Sequence, residues 1–222
     1  MKAGIAALTL KAAHRTGWKP KPLKIGGLTI RRCPGVFRPG KLTKTSLLLA
    51  ENMVSCEGFD VLDVGCGTGI LSLLAARKAR RVVAVDVNPK AVECTRLNAE
   101  ANGLESRVDV RLGSLFQPLK PGEAFNLILF NPPYLPGKPG SLSEAGWLDS
   151  GEVTLKFLGE ASKWLKPGGL VQLVYSSLGA LSARQIVEAA EASSLKLVEQ
   201  KSFRSLFETF TIHVFALKEG GT

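Results

Sequence analysis

Between residues 59 and 217 the apolar residues alternate between short continuous runs and longer stretches in which they recur every three or four positions. Phe59 to Val64, Val82 to Val85, Leu127 to Phe130 and Leu170 to Tyr175 are runs of the first kind, expected for strands covered on both faces. Val108 to Leu112 is a less apolar strand, and Leu195 to Lys201 and Thr209 to Leu217 close the chain as two more. Runs of the second kind predict helices over Ile70 to Ala79, Lys90 to Ala101, Val153 to Leu165 and Leu181 to Ala192. Pro89 opens the second of these and Asn102-Gly103 closes it; Lys166-Pro167-Gly168-Gly169 stops the third. A further helix begins near Thr45 or Ser46, either of which serves as N-cap, and carries Leu47, Leu48, Leu49 and Met53. Strands alternating with helices predict an α/β fold: a seven-stranded, mostly parallel sheet with right-handed crossovers and an antiparallel C-terminal edge hairpin.

Composition sharpens this to one domain preceded by a basic arm. The 222 residues, 45% of them hydrophobic, suit a single α/β core. Residues 1–44 hold eleven Lys or Arg and no acid, so that subtracting them from the net +10 leaves residues 45–222 at −1. The arm is expected to contact RNA or a ribosomal assembly, the alternative being a solvated tail. Trp18 within it would stack on a base or anchor the arm, and its apolar patch reads as mature chain rather than a leader. No apolar run is long enough to cross a bilayer, and Cys33, Cys56, Cys66 and Cys94 lack metal-ligand spacing. They are expected to be reduced thiols of a cytoplasmic protein without a bound metal.

The chemistry concentrates at two strand ends. Leu127 to Phe130 runs into Asn131-Pro132-Pro133-Tyr134, where the prolines end the strand and fix a polar-then-aromatic corner at its carboxyl end. A planar NH2 group is a poor nucleophile because its lone pair is delocalised. The Asn131 side-chain carbonyl and the Pro132 backbone carbonyl are each expected to accept one of its N–H bonds, with Pro133 beside them and Tyr134 stacked on its flat face. The competing reading of these four residues alone is a Pro-rich turn after a core strand. The first strand runs into Asp63-Val64-Gly65-Cys66-Gly67-Thr68-Gly69, whose glycines let backbone pass close to a ligand. Its third glycine comes one residue early for a dinucleotide fingerprint. Asp63 suits an amino-bearing ligand, and Asp86, followed by Val87 at the tip of the second strand, is placed to accept ribose hydroxyls. Cys66 is read as a small packing residue of the turn, and His14 and His213 are too isolated to be bases.

The glycine turn, Asp86 and Asn131-Pro-Pro-Tyr together resemble the class I S-adenosylmethionine-dependent methyltransferases that act on amino groups, over about residues 35–217. Val36-Phe37-Arg38-Pro39, Thr45 with the leucines after it, Trp147 with Gly151, and Glu208-Thr209 make the chain similar to the HemK-like release-factor glutamine methyltransferases, archaeal and eukaryotic branch. The resemblance implies the Rossmann-like class I methyltransferase fold and S-adenosyl-L-methionine as cofactor. It implies cofactor contacts from Thr45, Asp63, Gly65, Cys66, Gly67, Gly69, Asp86, Val87, Ser114 and Asn131, with Asn131, Pro132 and Tyr134 catalytic and Asn131, Pro133 and Tyr134 at the substrate. The implied substrate is a glutamine side chain in a translation release factor, and a small zinc-ribbon activator subunit is an implied partner.

The chain departs from that pattern where Lys44-Thr45 stands in place of an Asp-Thr pair, Gly113-Ser114 in place of an adenine-binding Asp, and Leu148-Asp149-Ser150-Gly151 after the tryptophan. An exocyclic amine of adenine or guanine in ribosomal or transfer RNA is the second substrate class, since both targets are flat NH2 groups. A non-catalytic ribosome-associated scaffold is the third reading, weakened by the joint presence of Asp63, Asp86, Asn131 and Tyr134.

Overall fold

The computed structural model describes residues 21–40 and 44–218; His14, Trp18 and the first half of the basic arm lie outside them. A two-stranded hairpin, β1 (Leu23–Ile25) and β2 (Leu28–Ile30), is followed by α1 (Thr45–Glu51), β3 (Asp60–Val64), α2 (Ile70–Ala76), β4 (Arg81–Asp86), α3 (Pro89–Ala101), β5 (Val108–Leu112) and β6 (Phe125–Phe130). Then come α4 (Glu152–Ala161), β7 (Leu165–Ser176), α5 (Ala183–Ala192), β8 (Leu195–Arg204) and β9 (Thr209–Leu217). The main sheet has seven strands in the order β5-β4-β3-β6-β7-β9-β8, parallel except for β9, which runs antiparallel to both β7 and β8.

Strand period two sorts the core. Leu62, Val64, Val83, Val85, Ile128 and Phe130 face one way, against Phe157 and Leu158 of α4 and Ile186 and Ala190 of α5. Val61, Val82, Ala84, Leu127 and Leu129 face the other, against α1, α2 and α3 through Leu49, Leu73 and Val92. Phe130 and Phe157 pack with ring centroids 4.2 Å apart, so truncating either to alanine would cost about 3–5 kcal/mol. The less apolar β5 is an edge strand whose side chains alternate between core and solvent. Because the chain leaves β3 toward β4 and β5, and later returns through β6 to β7, the order reverses between β3 and β6. A crevice therefore opens at the carboxyl ends of those two strands.

Two features differ from expectation in the chain that precedes this sheet. The described second half of the arm folds onto the domain: Leu28 and Ile30 enter the core, and Gly26 and Gly27 turn the hairpin at φ 54° and 78°, which other residues adopt only under strain. Asn98 of α3 and Asn102, which caps its C-terminus, grip β2 and its extension through paired bonds, at 2.9 and 3.0 Å to Arg31 and at 2.9 and 3.1 Å to Thr29. The four cysteines are not all reduced: Cys33 and Cys94 form a disulfide, leaving Cys56 and Cys66 free. Sixty-one residues separate the pair in sequence, so no local spacing announces it; packing on α3 brings the Cα atoms to 5.9 Å, within bridging range.

Helix boundaries differ in detail. The residue capping α1 is Lys44, without a side-chain bond, so Thr45 and Ser46 are its first two residues and not caps. Lys166 to Gly169 does not end a helix but forms part of β7, where the pairing with β6 slips between Phe125 and Leu127. Among the described residues no helix is long and apolar enough to cross a membrane.

Candidate active site

The crevice is built from the strand ends outward. Beyond β3 the turn folds back through Gly65 N–H and Cys66 N–H, which donate to the Val85 carbonyl at 2.8 and 3.0 Å. Gly65, Gly67 and Gly69 all have positive φ. A β-carbon on Gly69 would lie 2.8 Å from the Thr95 side chain of α3, so the close packing of α2 on α3 requires glycine there.

Asp86 sits where β4 ends and organises the floor. Its Oδ2 accepts from Gly67 N–H and its Oδ1 from Asn88 N–H, both at 2.9 Å. Burial pushes its carboxyl above the ordinary range, while the N–H groups of Asn88, Gly67 and Val87 pull the other way. Asn88 caps α3 through Lys90 N–H and donates through Nδ2 to the Gly35 carbonyl at 2.9 Å. The floor is thereby tied to a roof of Val36, Phe37 and Pro39.

Asp63 lies behind the turn and does not line the crevice. It is wholly buried; Oδ2 accepts from the Ser72 N–H at 3.0 Å and from the Ser72 hydroxyl, while Oδ1 has no partner. Burial raises its carboxyl to about 7, with Asp86 adding to the rise against the pull of Ser72. Cys66 lines the crevice with a thiol that burial, Asp86 and Asp63 all drive upward, which makes it an inert wall. His213 is buried in β9, away from the crevice, and held neutral by burial, which lowers it to about 4.

Asn131 opens the opposite wall. Its Nδ2 donates to the Ser46 hydroxyl at 2.9 Å, while Oδ1 is buried without a partner. Pro133 lines the crevice beside it, whereas Pro132 does not. The Tyr134 side chain turns inward: it packs edge-on to Tyr175 at 6.0 Å and its carbonyl accepts from Ala180 N–H at 3.0 Å. Burial first, and Glu208 second, push its phenol above the ordinary tyrosine range. Leu142, Ser143, Ala145 and Gly146 complete the rim on a loop fastened by Leu135 to Trp147 and Asp149.

Of the residues expected at the site, Gly65, Cys66, Gly67, Asp86, Val87, Ser114, Asn131 and Pro133 line the crevice. Thr45, Asp63, Gly69, Pro132 and Tyr134 form the layer behind them; Thr45 is fully buried, and Ser46 faces the crevice in its place. Sequence reasoning did not place Ser46, Asn88 or the 142–146 rim at the site. For Asn88 the signal was present, since an asparagine before Pro89 is a helix cap and puts the first turn of α3 beside Asp86. The arrangement offers a carboxylate and backbone groups at one end, an apolar slot in the middle and an unsatisfied carbonyl at the other. It can hold a polar, partly aromatic ligand and present an N–H-bearing group to Asn131.

Comparison with known proteins identifies such a ligand. Residues 27–204 match the family model described as the methyltransferase small domain. A Methanocaldococcus jannaschii protein provisionally named a protein N5-glutamine methyltransferase is 35% identical over 164 residues, covering 70% of this chain and 80% of that protein. Ribosomal RNA small subunit methyltransferase C of Pseudomonas entomophila is 35% identical over 185 residues, 82% of this chain but only 51% of that enzyme, so the chain spans about half of it. The Thermus thermophilus 16S rRNA N2-guanine methyltransferase, solved with S-adenosylmethionine and guanosine, superposes with a TM-score of 0.65 at 26% identity, covering 89% of this chain and 50% of that one. A crevice at the β3/β6 reversal, an acid ending β4 and Asn-Pro-Pro-Tyr ending β6 agree with these matches: the chain belongs to the methyltransferase small-domain family and is a class I S-adenosylmethionine-dependent methyltransferase.

Proposed function

We propose that the enzyme methylates the side-chain amide nitrogen of a glutamine in a translation release factor. The observation that carries the chemistry, transfer to a planar amino nitrogen, is the buried, unpartnered Oδ1 of Asn131, a residue of the crevice wall. A buried acceptor without a donor costs about 1–3 kcal/mol, and a planar NH2 group is the donor that would satisfy it. Held on that carbonyl, the nitrogen is kept in one orientation and the positive charge it gains is stabilised as its bond to carbon forms.

The cofactor residues follow from the donor set. S-adenosylmethionine supplies an electrophilic methyl group on a sulfonium sulfur. Asp86, with two of its lone pairs already on backbone N–H groups, accepts the ribose hydroxyls with the rest. Val87, Ser114 and Leu115 would flank the base, Gly65 and Gly67 would let the methionine portion pass, and Asp63 would hold the turn from behind through Ser72. Tyr134, buried against Tyr175, props the corner and does not stack on the substrate. Among the described residues lining the crevice only Cys66 and Asp86 are ionisable, so the proton released by the methylated nitrogen passes to water.

An RNA exocyclic amine is the second reading, supported by the likeness to rRNA methyltransferases and by the basic first forty-four residues. Glutamine is favoured because the match to the glutamine enzyme runs over 80% of that protein and the match to the RNA enzyme over 51%. Labelled S-adenosylmethionine with cell extract, followed by nuclease or protease, separates the two. Label that survives nuclease and is lost to protease is the expected result, and label lost to nuclease would overturn the glutamine assignment. The resemblance also implies a zinc-ribbon activator, so the assay is run with and without such a subunit.

A further inference from the structure

We infer that the Cys33–Cys94 disulfide is a redox lock on the cofactor crevice: when formed it holds the roof in its binding position, and reduction by a dithiol weakens the grip on S-adenosylmethionine. Neither cysteine lines the crevice, but each stands three residues from one that does. Cys33 begins a tight turn, closed by Val36 N–H to the Cys33 carbonyl at 3.4 Å and passing through Gly35 at φ 74°. Val36 ends that turn and lines the crevice with Phe37 and Pro39. Cys94 follows Ala91, another lining residue, by one turn of α3. Val36, Ala91, Cys94 and the half-buried Cys33 pack as a small apolar cluster apart from the two main ones, so the bond crosslinks the roof to the wall it rests on. Asn98 holds the chain at Arg31 and Asn88 holds it at Gly35, each by hydrogen bonds; the disulfide is the covalent tie between them. A roof fixed in place before the ligand arrives has less freedom to lose on binding. Cys94 is buried, so a dithiol thiolate attacks at Cys33 Sγ, forming a mixed disulfide and releasing Cys94. Its second thiol then displaces Cys33 and leaves as the cyclic disulfide, with the protein bond reduced to two thiols and the dithiol oxidised. Cys56 and Cys66 stay out of the exchange, being buried with thiols pushed upward by burial.

The test is calorimetric titration of the oxidised and the dithiothreitol-reduced chain with S-adenosylhomocysteine, at a temperature where circular dichroism shows the oxidised protein folded. Reduction is expected to raise the dissociation constant about tenfold. Cys33→Ala/Cys94→Ala should bind like the reduced protein and be indifferent to dithiothreitol. Coupling is reciprocal, so saturating S-adenosylhomocysteine should favour the bridge by the same factor, a shift of about 30 mV in the redox midpoint. Acid quench and alkylation follow that midpoint, because the oxidised chain carries two free thiols and the reduced chain four. Equal affinities in the folded oxidised and reduced proteins, or an unshifted midpoint, would overturn the lock. A reduced chain that unfolds outright would overturn it too, since the bridge would then hold the fold and not the roof. The inference rests on the reading of the crevice as the cofactor site, and Asp86→Ala in the oxidised chain tests that reading separately. Affinity unchanged by that substitution would refute the site, whereas affinity unchanged by reduction alone would refute the lock.

Discussion

Replacing Asp86 tests the proposed cofactor assignment, because the backbone N–H groups on its carboxylate are known and the ribose contacts are the proposal. Gly67 and Asn88 N–H groups occupy it at 2.9 Å, with Val87 N–H close by, and shape the glycine turn and the start of α3; the outward-facing lone pairs are proposed to accept the ribose hydroxyls. In Asp86→Ala both ribose bonds disappear. At about 1.5–3 kcal/mol each for bonds to a charged group, the ceiling is roughly 3–6 kcal/mol, a rise in dissociation constant of about two to four orders of magnitude. The variant also leaves two N–H groups without acceptors, so stability falls by about 2–4 kcal/mol. Calorimetric titration with S-adenosylmethionine, run beside thermal melts, separates these effects. A folded Asp86→Ala protein with unchanged affinity would refute the ribose assignment. One that loses stability but less than tenfold in affinity would show that Asp86 only builds the turn. Burial holds the Asp86 carboxyl above the ordinary aspartate range, so wild-type affinity should begin to decline on acidification earlier than for an exposed aspartate.

Two further predictions concern stability. Asp63, raised by burial to about 7 against an ordinary 3.8, is buried more cheaply as the acid; its contribution is complete below the unfolded pKa and is lost as pH rises from about 4 to about 7, by up to about 4 kcal/mol. Asp63→Asn should flatten that part of the stability profile in denaturant titrations, and an unaltered slope would refute the assignment. The Cys33–Cys94 disulfide closes a loop with a sequence separation of 61, for which the chain-entropy estimate is about 4 kcal/mol. Cys33→Ser or prior reduction should lower the melting temperature by about 10 °C, and coincident melts with and without reductant would contradict the bridge.

Much of the fold was legible because two periodicities dominate the chain between residues 59 and 217. Buried parallel strands such as β6 must be continuously apolar, and the bounds of β5 and β9 follow from the pattern alone. The hairpin at residues 23–30 was hidden by the charge around it; Gly26-Gly27 between two apolar alternations was its signal, outweighed by Lys24, Arg31 and Arg32. Lys166-Pro167-Gly168-Gly169 looks like a helix stop, yet its backbone is absorbed into β7 because the slipped register removes the ladder bond that Pro167 cannot make. At the site, the motif identified Asn131 but not the direction of Tyr134, since what lies inside a corner depends on the α5 side of the sheet. The disulfide and the Ser46–Asn131 bond join residues too distant for any local pattern to pair.

Single-turnover methyl transfer by Asn131→Ala, with wild type alongside and purified release factor as acceptor, measures what the Asn131 carbonyl contributes at the reacting nitrogen. The variant is expected to keep S-adenosylmethionine affinity within a few-fold of wild type and to lose about 100- to 1000-fold in rate, the usual consequence of removing one preorganised polar contact to a transition state. A rate near that of wild type in a folded, cofactor-binding variant would contradict that contribution.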